Sequence, residues 1–549
     1  MKPNSTSSSY RWLLCLLISL LSIQFQTCLG SNDEEAYVTL LYGDEFLLGV
    51  RVLGKSIRDT RSNKDMVVLV SDGVSNFAKN LLRADGWIVE QITLLANPNR
   101  VRPKRFWGVY TKLKIFNMTN YKKVVYLDAD TIVVKNIDDL FKCRKFCANL
   151  KHSERLNSGV MVVEPSETLF NDMVNKIKTT KSYTGGDQGF LNSYYSDFPN
   201  ARVFDPNLSP EELKSRPVPE MERLSTLYNA DVGLYMLANK WMVDEKELRV
   251  IHYTLGPLKP WDWWTSWLLK PVDVWQDVRE QLGESLPGTR GGQNPNDYFL
   301  VKFLFFLPFC ALLFFCYNSL MKNREYFGSF CRGSPCDQVR HLYYKIRSSG
   351  PLPYTTISTS GINSIHQLSN GSQCKVPTYL GGVSVCFCLT AAVVSLGLAL
   401  LIVPRQVMPW TGLLLMYEWT FTMFIVLFGG YLHLVYRWGK HVASRAASSS
   451  LPESLDYDSG KRHQRQISSC DAATWYYGVG MALLAIGAPS LPCLFGITAL
   501  FLRLGLMVFG GIILASFMTY ASEHLAIRSF LKGLDEWDTA PNRSLCFVC

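Results

Sequence analysis

Lys122-Lys123-Val124-Val125-Tyr126-Leu127-Asp128-Ala129-Asp130 is the stretch on which the reading of this chain turns. An apolar, β-branched run that halts at two carboxylates one residue apart reads as a buried parallel strand, with Asp128 and Asp130 at its carboxyl end. Open α/β sheets bind ligands at that end of their strands. Residues i and i+2 of an extended segment face the same way, so both carboxylates can meet one hard divalent cation through oxygen, as Mg²⁺ and Mn²⁺ prefer. By itself an Asp-x-Asp is also the end of any strand that finishes in two solvated acids, so the neighbouring segments decide between the two.

From Ala36 to about Val163 strand and helix alternate. Ala36 to Tyr42 and Met66 to Val70 read as strands, Phe46 to Arg58 and Asn76 to Arg83 as helices. Trp87 to Ile92 and Val124 to Leu127 continue the strands, with a helical stretch expected around Tyr110 to Phe116. Repeated βα units imply an α/β fold with a mostly parallel sheet of the nucleotide-binding kind. No Gly-x-Gly-x-x-Gly follows the first strand and no Gly-Lys-Ser/Thr loop is present, which disfavours dinucleotide and P-loop folds.

With 549 residues the chain exceeds one ordinary core. Its halves differ: residues up to about 295 look water-soluble, whereas the remainder holds several apolar runs of about 20 residues. The net charge of +10 does not point to nucleic acid, because Lys and Arg are dispersed or crowd beside apolar spans rather than forming a basic stripe.

After the two aspartates come Asn157-Ser158-Gly159-Val160, Gly185-Gly186-Asp187-Gln188-Gly189, Tyr228-Asn229, and a segment from His252 through Gly256 and Lys259 to Trp261. This ordered set resembles the glycogenin-like family of retaining glycosyltransferases, over roughly residues 35 to 265. The resemblance implies a GT-A-type fold and a nucleotide-sugar donor used with Mn²⁺. Asp128, Asp130 and His252 then stand as the metal ligands, and two oxygen donors with a neutral imidazole suit Mn²⁺ better than a structural zinc site.

The same resemblance makes Lys259 the lysine that holds the diphosphate, with Gly256 allowing backbone to approach phosphate. Asn157, Ser158 and Gly159 stand where ribose and sugar bind, Ala129 lies between the metal ligands, and Lys112 is a lysine reaching toward the donor. Leu40 and Tyr42 stand where the first strand meets uracil. Asp187 is the carboxylate expected beside the anomeric carbon, where negative charge favours an oxocarbenium-like transition state on either a covalent or a same-face route. Gln188 is expected to orient that site by hydrogen bonding, and Thr184, Gly185 and Gly186 just before it stand among the donor-binding residues. Glycogenin has an acid where this chain has Thr184, which implies a different sugar. Tyr194 and Tyr195 make self-glycosylation conceivable, although tyrosine is a common helix-face residue.

The amino-terminal Arg11 followed by apolar Trp12 to Ile23 reads as a signal peptide or signal anchor over residues 1–30, ahead of a lumenal catalytic domain over 31–285. Asn117-Met118-Thr119 and Asn207-Leu208-Ser209 are possible glycosylation sequons. A linker over 286–297 precedes a membrane region, 298–520, and a cytosolic tail, 521–549. Five spans are expected: Tyr298 to Leu320, Thr378 to Val403, Thr411 to Val435, Ala473 to Cys493 and Ile497 to Tyr520. Basic residues such as Arg324, Arg340, Arg437 and Lys461 fall in the loops that face the cytosol if the catalytic domain is lumenal, as the positive-inside rule requires.

Glu418 and Arg503 are costly in hydrocarbon and are candidates to pair with each other or to bind a lipid head group. Cys143 and Cys147 can form a disulfide if their Cα atoms come within about 7 Å. Cys546-Phe547-Val548-Cys549 has the outline of a prenylation box, but spans already anchor the chain. The dense run Trp261, Trp263, Trp264 and Trp267 admits three readings: membrane interface, sugar stacking or core.

A soluble acceptor would need one anchor at most, so several spans place the acceptor or a partner in the membrane. A glycogenin-like domain ahead of a multispan region resembles the plant Golgi glucuronosyltransferases of sphingolipids, which implies UDP-glucuronate as donor and an inositol-bearing phosphorylceramide as acceptor. The alternatives are another UDP-sugar passed to a glycan or protein, or a catalytically silent membrane scaffold.

Overall fold

The computed structural model describes residues 34–97, 108–151, 153–254, 256, 258–285, 295–322, 376–449 and 470–535. Contacts divide the chain into two compact units, Met1–Gln293 and Asn294–Cys549. The leader, most of the 286–297 linker, the basic loops at 323–375 and 450–469 and the Cys546–Cys549 tail lie outside the described residues.

In the first unit, strand β1 (Glu35–Leu41), helix α1 (Leu47–Asp59), β2 (Asp65–Val70), α2 (Asn76–Ala84) and β3 (Ile88–Gln91) form the expected βα repeat. Helix α2 starts where the Ser75 side chain accepts from the Ala78 N–H, which satisfies one orphan donor of the first turn. Next come β4 (Lys123–Leu127), β5 (Thr131–Val133), β6 (Phe146–Leu150), β7 (Leu156–Val163), α3 (Glu167–Lys176) and α4 (Asp187–Tyr194). The unit closes with β8 (Arg202–Val203), α5 (Pro210–Ser215), β9 (Met221–Leu224), β10 (Ala230–Asp231), α6 (Val232–Ala238), β11 (Val250–His252) and α7 (Pro271–Ser285).

The main sheet has eight strands in the order β3-β2-β1-β4-β7-β6-β9-β8. Pairings β4–β7 and β6–β7 are antiparallel and the others parallel, so the sheet is mixed but mostly parallel. Strand β4 is central, and Val124 to Leu127 are all buried. Alternation sends Val125 and Leu127 into one core and Val124 and Tyr126 into the other. A strand buried on both faces needs the continuous apolar run that the sequence shows.

A second sheet, β10-β11-β5, matters most for the site. β5 follows the two aspartates directly and pairs antiparallel with β11 so that Thr131 faces His252. That register brings an imidazole more than a hundred positions downstream to the Asp-x-Asp turn.

The structure corrects one of these expectations and decides others that the sequence left open. Val109–Asn117 is a run of 3₁₀ turns instead of an α-helix. Trp261 and Trp263 are core residues, 4% and 2% exposed, with Trp261 packed edge-on against Phe46 at 5.7 Å between centroids. Only Trp264 and Trp267 of that run are partly open to solvent. Tyr194 donates to Asp172 at 2.5 Å and Tyr195 stacks on Phe146 at 4.3 Å, so both tyrosines are engaged in packing against the second core. The Cys143–Cys147 disulfide is formed, with a Cα separation of 6.3 Å.

Asp138 ties β1 to its surroundings by accepting from the Tyr37 and Ser62 hydroxyls, each at 2.6 Å. Burial pushes its carboxyl up, yet hydrogen bonds from Ser62, Tyr37 and Asn136 and the charge of Lys64 hold it below its ordinary value. A depressed carboxyl pKa stabilises the fold above the unfolded value, and that contribution disappears as pH falls through the folded value. Asp138→Asn is therefore expected to lower the melting temperature by about 3 °C at pH 7. The gap to the parent protein should close below the ordinary carboxyl pKa of 3.8, as measured by thermal scans across pH.

In the second unit the helices are α8 (Pro295–Lys322), α9 (Leu380–Ile402), α10 (Pro409–Phe424), α11 (Gly430–Ser449), α12 (Cys470–Leu494) and α13 (Leu500–Asp535), with a π turn at Ile425–Gly429 joining α10 to α11. Among the described residues four helices are long and apolar enough to cross a membrane: Leu380–Ile402, Pro409–Arg445, Trp475–Leu494 and Leu500–Leu534. They mark a multi-pass membrane protein. The first of the five expected spans falls on α8, whose described apolar stretch, Phe299–Phe314, is too short to count by the same measure.

Helix α13 packs against α9, α11 and α12. At Gly439 a Cβ would lie 2.3 Å from the Phe530 carbonyl oxygen, so α11 and α13 approach backbone to backbone there. Glu418 does not pair with Arg503: its Oε2 is buried without a hydrogen-bond partner, while Arg503 Nε donates to the Ile497 carbonyl at 2.6 Å.

Candidate active site

Three loops converge beyond the carboxyl end of β4: the Asp128-Ala129-Asp130 turn, the start of β7 at Asn157-Ser158-Gly159, and the Gly185-Gly186 turn that opens α4 at Asp187. Lys112 lies at their meeting point. Its Nζ is 2.9 Å from Asp128 Oδ1 and 3.2 Å from Asp187 Oδ2. It also donates to the Ser158 carbonyl at 3.2 Å and sits 5.0 Å from the Tyr126 ring centre. Burial alone would lower the pKa of this lysine, but Asp128 and Asp187 more than offset it and raise the pKa above the ordinary lysine value. Lys112 is thus a buried, fixed cation joining the Asp-x-Asp turn to α4.

Asp128 accepts from the Tyr126 hydroxyl at 2.7 Å, which aims its carboxylate. Asp187 accepts from Ser158 Oγ at 2.8 Å. Asp130 meets Lys259 Nζ at 2.6 Å. Burial raises the Asp130 carboxyl, but the charge of Lys259 outweighs it and holds the group well below the usual carboxylate range. Tyr42 closes this side, its phenol pushed up to about 12 by burial and then by the charge of Asp128.

An amide chain orients His252. The Gly159 N–H can only donate, and it donates to Asn157 Oδ1 at 3.0 Å. The Asn229 atom 2.8 Å from that same oxygen must then be its Nδ2. Asn229 Oδ1 therefore faces His252 Nδ1 at 2.9 Å, and Nδ1 carries the ring proton. The Nε2 lone pair points at Asp130 Oδ1, 3.4 Å away, and Asp128 Oδ2, 3.9 Å away. An imidazole lone pair and two carboxylates facing one another repel unless a cation lies among them. The three donors lie within 4.8 Å of one another, a spacing that one small divalent ion can bridge. The donor set fits a divalent metal ion.

Gly159 is part of the same fit, since a Cβ there would stand 2.0 Å from His252 Cε1. At its other end the amide chain runs from Asn157 Nδ2 to Gln188 Oε1 at 3.1 Å, so the metal corner and the Asp187-Gln188 corner share one network. Asn229→Leu is expected to weaken divalent binding about tenfold, with Asn229→Asp recovering most of it because an acceptor for Nδ1–H is kept. Mn²⁺ titration followed by electron paramagnetic resonance reads this directly.

The structure gathers most of the residues expected from the sequence: Tyr42, Lys112, Asp128, Asp130, Asn157, Ser158, Gly159, Asp187, Gln188, His252 and Lys259. Leu40 does not join them; it is 6% exposed and packs in the second core. Thr184 spends its hydroxyl on the turn itself, accepting from the N–H groups of Gly186 and Gly189 at 3.2 and 3.0 Å. Gly256 is exposed with a φ of +65°, and a Cβ there would meet nothing within 4 Å. Sequence reasoning missed Tyr126 and Asn97, whose Nδ2 donates to the Gly185 carbonyl at 2.8 Å and holds the Gly185-Gly186 turn. Asn229 stood out in the sequence only as half of the Tyr228-Asn229 pair, with nothing local to give it a role.

A mostly parallel sheet with a carboxylate pair, an imidazole and two lysines at its ligand-binding end has the makings of a nucleotide-sugar transferase. The chain belongs to glycosyl transferase family 8, whose sequence pattern matches residues 37–149, and it is a glycosyltransferase of the GT-A fold. Among its relatives, inositol phosphorylceramide glucuronosyltransferase 1 of Arabidopsis thaliana is 68% identical over 98% of this chain and 99% of that one. A putative UDP-glucuronate:xylan alpha-glucuronosyltransferase, number 5 of the same plant, is 36% identical over 47% of this chain and 44% of that one. The solved galactosyltransferase LgtC is 18% identical, with a TM-score of 0.34, over 47% of this chain and all of that one.

Proposed function

We propose that this enzyme transfers glucuronic acid from UDP-glucuronate to the inositol of inositol phosphorylceramide, with retention at the anomeric carbon. In this reading it works in the Golgi membrane with its catalytic unit in the lumen. The observation that carries the reading is the end-to-end match to the ceramide enzyme, which spans both the sheet unit and the membrane helices, whereas the xylan enzyme matches 47% of the chain.

Asp128, Asp130 and His252 would hold Mn²⁺, which when bound supplies positive charge to the diphosphate. Lys259 offers a second positive charge beside Asp130, so negative charge building on the departing UDP meets an ammonium already in place. Lys112 holds Asp187 in place through their ion pair, and Ser158 aims it. An ionised, oriented carboxylate stabilises the cationic character of the sugar as the glycosidic bond breaks. Thr184 is uncharged where glycogenin carries an acid, so this turn adds no negative charge against a uronate donor.

A donor panel tests the assignment. Purified full-length enzyme, given UDP-glucuronate, UDP-glucose, UDP-galactose and UDP-xylose in turn with the ceramide acceptor, should prefer UDP-glucuronate by at least about tenfold. Equal or better use of a neutral sugar would overturn the donor assignment.

A further inference from the structure

Helix α6 is odd for a water-soluble surface. Between Val232 and Val243 the sequence reads Val-Gly-Leu-Tyr-Met-Leu-Ala-Asn-Lys-Trp-Met-Val, yet only Val232 is buried. Leu237 and Met242, 63% and 61% exposed, are the two most exposed large apolar side chains described in the first unit. Tyr235 and Trp241 lie beside them with ring centres 4.8 Å apart. A short helix apolar on nearly every side gains nothing from water, and scattered single exposures are a different matter from a cluster contributed by one segment.

The segment is also fastened to the active site. It begins one residue after Asp231, which lies in register with His252 across β10 and β11. The Asp231 carboxylate caps α6 by accepting from the Gly233 N–H at 2.7 Å. It also accepts from Thr254 Oγ1 and pairs with Lys151. The apolar cluster is therefore rigidly linked to the strand that carries the imidazole. At its far end Asn239, with a φ of +52°, stops the helix and turns the chain into Trp241 and Met242. Charged Asp244, Glu245, Lys246 and Glu247 follow at once, all exposed, which bounds the apolar patch sharply.

We propose that the α6 segment, Leu234 to Met242, dips into the membrane leaflet that contains the lipid acceptor and so sets the active site at head-group height. This rests on the lipid acceptor assigned above. The occupant is argued from the chain itself. Its own membrane-spanning helices keep the catalytic unit beside a bilayer at all times, so even a small apolar patch finds lipid at high effective concentration. Tyr and Trp beside Leu and Met, with the single cation Lys240, form the side-chain set that favours the interface between acyl chains and head groups. An inositol linked to ceramide reaches only a short way above that interface, so a transferase for it needs its reactive carbon held there.

The test uses the full-length enzyme in nanodiscs containing inositol phosphorylceramide. A photo-crosslinking amino acid is placed at position 237 or, separately, at 242. The proposal expects cross-links to lipid; cross-links mainly to a second copy of the chain or to scaffold protein would overturn it, as would none to lipid. In parallel, the double variant Leu237→Gln/Met242→Gln should transfer to the membrane acceptor about tenfold more slowly at limiting lipid. Transfer to water-soluble glycerophosphoinositol should stay within about twofold of the parent. Equal losses on both acceptors, or no loss on either, would count against the patch. The cross-link is independent of the sugar transferred, so failure of the donor or acceptor assignment would leave the result for α6 standing.

Discussion

Asp130→Asn is expected to lower sugar transfer by about 10³-fold, the loss of several kcal/mol of transition-state stabilisation, while leaving the melting temperature within a few degrees of the parent. The substitution keeps size and shape and removes one negative charge. That charge is present throughout the working pH range, because Lys259 holds the Asp130 carboxyl well below its ordinary value against the opposing effect of burial. Asp130 serves both as one of three donors to the divalent site and as the anchor for Lys259 at 2.6 Å. Divalent affinity and turnover should therefore fall together. Saturating Mn²⁺ should rescue turnover only in part, since the ammonium is no longer held in place. Undiminished transfer by this variant would remove the aspartate pair from the mechanism.

Lys112→Met should damage both fold and catalysis. Its side chain is 9% exposed and its ammonium joins Asp128 and Asp187, which it alone bridges among the described ion pairs. Removing one partner of a buried ionic group leaves the others uncompensated, at a cost of about 3–5 kcal/mol, or roughly 10 °C in melting temperature for a domain of this size. Two carboxylates freed of their shared cation repel, so Asp187 should lose its position. Transfer is expected to fall by about 10²-fold or more even at temperatures where the variant remains folded. Lys112→Arg preserves the charge but not the compact geometry, and should restore stability more than activity. The pKa of Lys112 is raised, so its contribution is complete below the ordinary lysine value and persists above it. No pH step due to this bridge is expected near neutrality, which thermal scans between pH 6 and 9 can check.

What was legible in the sequence follows from the range of the forces involved. The β4 strand announced itself because burial on both faces leaves a continuous apolar run, and because two carboxylates cannot continue into a dry sheet. The helical period predicted at Tyr110 to Phe116 was half right: the apolar residues are buried as expected, but the backbone winds in 3₁₀ turns that periodicity does not distinguish over so short a stretch. The tryptophan run shows the same limit. Composition admits core, interface and sugar stacking alike, and only packing against Phe46 and Trp275 assigns Trp261 to the core.

His252 could be placed only by resemblance, since nothing local links it to Asp128; the link is the β5–β11 register. The same holds for Asn229 and Asn97, whose working bonds join residues 72 and 88 positions apart. An amide in a sequence shows that hydrogen bonds are available, not where they go. In the membrane unit, hydropathy marked four of the five expected spans among the described residues, but not the fate of Glu418, because a charge in an apolar run predicts that satisfaction is needed without saying by what.

The central claim is that one site, built on Asp128, Asp130, His252, Lys259 and Asp187, passes glucuronic acid to a membrane lipid with the help of a divalent ion. Its most direct test is to incubate purified full-length enzyme with UDP-glucuronate and inositol phosphorylceramide, with Mn²⁺ and after chelation, and to identify the lipid product by mass spectrometry and its anomeric linkage by NMR. The account predicts an α-linked glucuronosyl inositol phosphorylceramide that forms with Mn²⁺, disappears on chelation and returns when the metal is restored. A β-linked product, equal yield after chelation, or no glucuronosylated lipid at all from active enzyme would contradict it.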